Sequence, residues 1–98
     1  MSGTEVLTGS MMDIAAGMDD LIGRYRQSIG RIYMVGQELD SMWDGSASDK
    51  FAARMGNDRE SFDAMAKLLE SYTSVLRQNA GIYLKAESDV LAVMNTNL

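Results

Sequence analysis

The sequence contains no cysteine, no histidine and no proline. Without cysteine there can be no disulfide and no thiolate metal site. Without histidine the chain lacks the commonest general base and the commonest metal ligand. Without proline nothing forbids long uninterrupted helices. Basic residues are scarce: nine Lys and Arg stand against 14 Asp and Glu, a net charge of −5. That balance argues against nucleic-acid binding, which needs a clustered basic face. No apolar run approaches the ~20 residues of a membrane span. The opening residues, MSGTEVLTGS, have neither a basic start nor a continuous apolar core, so they do not read as a cleaved secretory signal. A length of 98 residues suits one small domain, and on composition alone the chain reads as cytosolic.

What is present is heptad periodicity. Met11, Met18, Tyr25, Ile32 and Leu39 are seven apart, and Leu7, Ile14, Leu21, Val35 and Met42 form an interleaved set broken only at Ser28. Ala15, Ile22, Ile29 and Gly36 widen the stripe on one side. The pattern predicts a helix over 10–41, started by Ser10 and Asp13, with 1–9 frayed. A second register follows: Met55, Phe62, Leu69, Leu76, Tyr83 and Val90, partnered by Phe51, Met65, Tyr72, Ala86 and Val93. Asp58 and Asn79 interrupt it, and Leu68, Val75 and Ile82 widen it. Lys50, Arg54, Glu60, Lys67, Glu70 and Arg77 fall between the stripes. This predicts a second helix over 47–93 and a tail over 94–98, with no alternation that would indicate a strand.

Between the helices lies SMWDGSAS, with the only tryptophan of the chain. Residues 42–46 read as a turn. Gly45 can adopt the left-handed conformation that ends a helix, and Ser46 with Asp49 can cap the next one. Trp43 stands one heptad after Gly36, where its ring can wedge between the helices. Helical glycines weaken isolated helices by ~1 kcal/mol each, so packing must supply the stability, and Gly36 is the one that suggests close helix contact.

No catalytic residue emerges: the serines have no histidine or activated lysine to deprotonate them. Asp58, Glu60 and Asp63 cluster on a helix without the glycine-centred loop of a calcium site, so no metal and no cofactor is expected. The methionines are simplest as core filler.

Two wide apolar stripes exceed what two helices can bury against each other. If some ten large side chains stay half wet, at ~1.5–3 kcal/mol each for full burial, the deficit exceeds the stability of a small domain. The expectation is an all-α antiparallel helical hairpin that dimerises into a four-helix bundle, most economically as a two-fold homodimer. Met18, Leu21, Tyr25, Ile32, Leu39, Phe62, Leu69 and Leu76 are the expected dimer core. Helix 1 is expected to reach only to about residue 80 of helix 2, leaving an overhang with an extra apolar line at Leu84, Leu91 and Leu98.

Trp43-Asp44-Gly45, midway between two helical segments, and Tyr83-Leu84-Lys85-Ala86-Glu87 beyond them resemble the WXG family of small proteins, similar to the early secreted antigens of bacterial type VII secretion. The resemblance spans essentially the whole chain and implies a hairpin that pairs head to tail and is exported folded. It implies that Trp43 and Gly45 are the turn motif, and that Tyr83 and Glu87 are a Tyr-X-X-X-Asp/Glu export signal read by the membrane ATPase of the secretion system. Glu is the less usual acid at the final position. The protein would then be a non-enzymatic, secreted, virulence-associated substrate without a cleaved signal peptide.

Two other readings remain at the level of sequence. One is an adaptor or chaperone forming a heteromeric bundle with a paralogue or with a larger exported protein. The other is a membrane-active pair of amphipathic helices, disfavoured because the polar faces are acidic.

Overall fold

A computed structural model describes residues 3–96. Two helices account for nearly all of them: α1, Gly3–Met42, and α2, Ser46–Thr96, folded back on each other as an antiparallel hairpin. There is no strand among the described residues. This is the all-α hairpin that the heptads dictate.

The helix ends differ from the sequence expectation. α1 begins at Gly3, so residues 3–9 are helical and Ser10 lies inside the helix. The reason is packing: Thr8 is buried one heptad before buried Ala15, and its hydroxyl donates to the Glu5 carbonyl at 3.1 Å. α2 likewise runs through residues 94–96. Residues 1–2 of the expected frayed segment and residues 97–98 of the expected tail, with Leu98, lie outside the described residues.

The chain divides into two compact units, Asp20–Leu69 and Met1–Asp19 with Glu70–Leu98. In the turn-proximal unit Ile22, Ser48 and Ala66 are buried between the helices, with Tyr25, Ile29, Tyr33, Gly36, Phe51, Met55 and Phe62 half-buried around them. Two tyrosine hydroxyls tie the helices: Tyr33 donates to the Met55 carbonyl at 2.6 Å and Tyr25 to the Phe62 carbonyl at 3.2 Å. At Gly36 an added Cβ would stand 2.7 Å from the Met55 sulfur, so this glycine is where the helices come closest to a clash. Arg26 pairs with Asp63 across the helices at 3.2 Å.

In the other unit Thr8, Ala15, Thr73 and Ala80 are buried, and Met11, Met18 and Leu76 are half-buried. Arg77 crosses to Asp19 at 2.6 Å. In both units the fully buried positions are mostly Ala, Ser and Thr. Small side chains at the seam let the backbones approach, which leaves the large heptad residues on the flanks. The last buried residue of α2 lies at about the point where the overhang is expected to begin. Ala80 is buried and Glu87 is still half-buried, while every other described residue after Ala80 is exposed.

Candidate functional site

Three features carry the candidate function: the turn, the end of α2 and the uncovered apolar flank.

At the turn, α1 closes with the Trp43 amide donating to the Asp40 carbonyl at 3.5 Å. Gly45 has φ of 107°, the only positive φ among the described residues. Its carbonyl accepts the Asp49 amide at 3.1 Å, the first bond of α2. Gly45 thus occupies the position before α2, and Ser46 is the first helical residue instead of the cap. A bond not foreseen from the sequence locks this end: buried Ser48 donates to the Asp40 carboxylate at 2.8 Å. The Trp43 ring is tilted at 51° against Phe51, with centroids 6.0 Å apart, and remains 36% exposed. The indole N–H has no acceptor among the described residues. Trp43 therefore packs on Phe51 in the second turn of α2 and stays partly accessible.

Along α2, Tyr83 and Glu87 are four residues apart and so share a helix face. Tyr83 is 46% exposed and Glu87 half-buried. Neither makes a hydrogen bond or ion pair among the described residues. Their neighbours are occupied: Lys85 pairs with Asp89 at 2.9 Å. Leu84, Val90, Leu91, Val93 and Met94 are also exposed.

The expected dimer-core residues separate into two groups. Met18, Tyr25, Phe62, Leu69 and Leu76 line the seam within the hairpin and are half-buried. Leu21, Ile32 and Leu39 are exposed, Leu21 at 63%. They stand on the flank of α1 that also carries Leu7, Ile14 and Val35, all exposed. On α2 the exposed set is Met65, Leu68, Tyr72, Val75 and Ile82. In the turn-proximal unit this flank opens a cleft of about 470 Å³ between Ile32, Val35 and Leu39 of α1 and Phe51, Met55 and Phe62 of α2.

Charges collect elsewhere. Arg54 pairs with Asp58 at 2.8 Å, and Asp63 is held by both Arg26 and Lys67. The hydrogen bond from Lys67, and then that from Arg26, keep the Asp63 carboxyl below its ordinary value. Arg77 does the same for Asp19. The carboxylates of the Asp58–Glu60–Asp63 cluster thus mostly answer to cations. Among the described residues no group of three His, Cys, Asp or Glu converges as metal ligands, and no helix is long and apolar enough to cross a membrane.

Comparison with known proteins adds one finding. Residues 4–88 match the family model WXG100, described as proteins of 100 residues with WXG. The match takes in Trp43, Gly45, Tyr83 and Glu87. No curated protein and no solved structure matches the chain. With its tryptophan-glycine turn between two long helices, the chain belongs to the WXG100 family, whose members are small, non-enzymatic substrates of type VII secretion.

Proposed function

We propose that this protein leaves the bacterial cytoplasm as a folded homodimer, targeted to its type VII system by Tyr83 and Glu87 near the end of α2. The membrane ATPase of that system reads the pair. One observation carries the targeting half: the tyrosine and the carboxylate share a face one helical turn apart, and their side chains make no polar contact among the described residues. A receptor can engage both without breaking any hydrogen bond or ion pair of the hairpin.

The dimeric half rests on surface area. The chain exposes 7386 Å² at a mass of 10.8 kDa. A compact monomer of that mass exposes about 5,500 Å². The excess, about 1,900 Å² per protomer, is of the order that obligate dimers cover. Leu21, Ile32, Val35 and Leu39 in one unit, and Leu7, Ile14, Val75 and Ile82 in the other, are the side chains that a second hairpin would shelter.

The test is export of Tyr83→Ala and Glu87→Gln variants from a host with an intact type VII system. Both should accumulate in the cytoplasm with unchanged helicity and unchanged solution mass. Export at the parent level would contradict the signal. A chain that never self-associates but co-purifies with a larger hairpin-bearing protein would replace the homodimer with the adaptor reading.

A further inference from the structure

The other flank of the seam in the turn-proximal unit is built differently. Tyr33 is fixed there from two sides. Its hydroxyl donates to the Met55 carbonyl at 2.6 Å, and its ring packs edge-on against Phe62 with centroids 6.3 Å apart. On this platform lies the Arg59 guanidinium, 4.9 Å from the ring centroid. Arg59 makes no hydrogen bond and no ion pair among the described residues. By contrast Arg24, Arg26, Arg54 and Arg77 each hold an aspartate. The stack orders a side chain whose N–H donors still face solvent, so the entropy of immobilising it is partly spent before any ligand arrives.

Arg59 stands between two clefts of about 190 Å³ each. The first is floored by Ile29, Gly30 and Ala66, and the second by Gly36, Ala52 and Gly56. A Cβ added at Gly30 or at Gly56 would meet no atom of another element within 4 Å. Asp63 is the one carboxylate lining the first cleft, and it is already shared by Arg26 at 3.2 Å and Lys67 at 3.1 Å. Asp40 lines the second cleft and accepts from buried Ser48 at 2.8 Å, so Arg59 is the charged residue of these two clefts without a polar side-chain partner among the described residues.

We propose that this face binds an acidic segment of a partner protein, with one carboxylate on Arg59 and flanking apolar side chains in the two clefts. A planar guanidinium held over a ring, with no ion pair of its own among the described residues, suits two-point contact with a carboxylate. The clefts are each of a size for one aliphatic side chain. The partner segment is thus a glutamate or aspartate with leucine-like residues on either side. Ile32, Val35 and Leu39 line the larger apolar cleft instead, which shares Tyr33, Gly36, Phe51 and Met55 with the second of these clefts.

The test is a titration of the isotope-labelled full chain, followed by NMR. The probe is a capped synthetic helix with one glutamate and a leucine three residues to either side. Saturable shifts are expected at Gly30, Tyr33, Gly56 and the Arg59 side chain. The same helix with glutamine in place of glutamate should bind about tenfold more weakly or worse. Arg59→Ala, at an exposed position without hydrogen bonds, should keep the fold and remove the preference for glutamate. Arg59→Lys should restore it only in part. Equal binding of the two helices, no saturable shift up to millimolar peptide, or an Arg59→Ala variant that binds like the parent would each overturn the proposal.

Discussion

Leu21 and Ile22 are neighbours in the sequence, yet they should fail in opposite ways. Ile22 is 6% exposed in the seam of the hairpin, whereas Leu21 is 63% exposed on the flank. Truncating a buried isoleucine costs about 2–5 kcal/mol of folding stability. Ile22→Ala should therefore unfold the chain at markedly lower temperature. Leu21→Ala removes little that the single hairpin buries, so its cost within one protomer should stay within about 0.5 kcal/mol. Its effect should appear on association. Full burial of a leucine is worth about 1.5–3 kcal/mol, and nearly two-thirds of this one awaits a partner, so each protomer forfeits about 1–2 kcal/mol. Two-fold symmetry doubles this to about 2–4 kcal/mol per dimer, roughly 30- to 1000-fold in Kd. Helicity by circular dichroism and the dimer Kd by analytical ultracentrifugation separate the two quantities. Leu21→Ala with unchanged Kd, or with helix loss equal to that of Ile22→Ala, would refute the reasoning.

Two more outcomes follow from the geometry. Gly45→Ala meets no atom within 4 Å, so its cost is that of a backbone with φ at 107°; about 1–2 kcal/mol is expected, read as a fall of several degrees in Tm. Asp19 and Asp63 are held below their ordinary value of 3.8, by Arg77 and by Lys67 with Arg26 respectively. Depressed carboxyls contribute stability that is present above 3.8 and is lost as pH falls through the lower folded values. Thermal stability should thus be insensitive to these two groups from neutrality down to about pH 5 and decline in the acid range below it. The Asp19→Asn and Asp63→Asn variants should each lessen that acid decline.

Much of this structure was legible in the heptads. Their period fixes two helices, and the glycine of the turn marks the bend, since no other residue type takes its φ without strain. Gly36 was recognisable as a contact point because it interrupts an apolar line. The assignment of seam and flank was less legible. Periodicity identifies an apolar face about three residues in seven wide, but it does not say which edge of that face meets the partner helix. Here the small residues took the seam: Ala15, Ala66, Thr73 and Ala80 are buried while Leu21 and Ile32 are not. The helix start at Gly3 was missed because Thr8 reads as polar, although its hydroxyl is satisfied by its own helix. The Ser48–Asp40 bond and the Arg59–Tyr33 stack join residues on different helices, eight and 26 positions apart, and only the register of the fold brings them together. For the proposed signal pair, Tyr83 and Glu87, sequence supplied the spacing and the structure supplied their lack of polar side-chain partners among the described residues.

The most direct measurement is the mass of the purified chain in solution, by light scattering across a dilution series. A value twice 10.8 kDa that persists to low micromolar concentration is the predicted result. A helical species of 10.8 kDa at every concentration would mean that one hairpin tolerates its wet apolar flank unaided, and the assembly on which export as a dimer rests would be wrong.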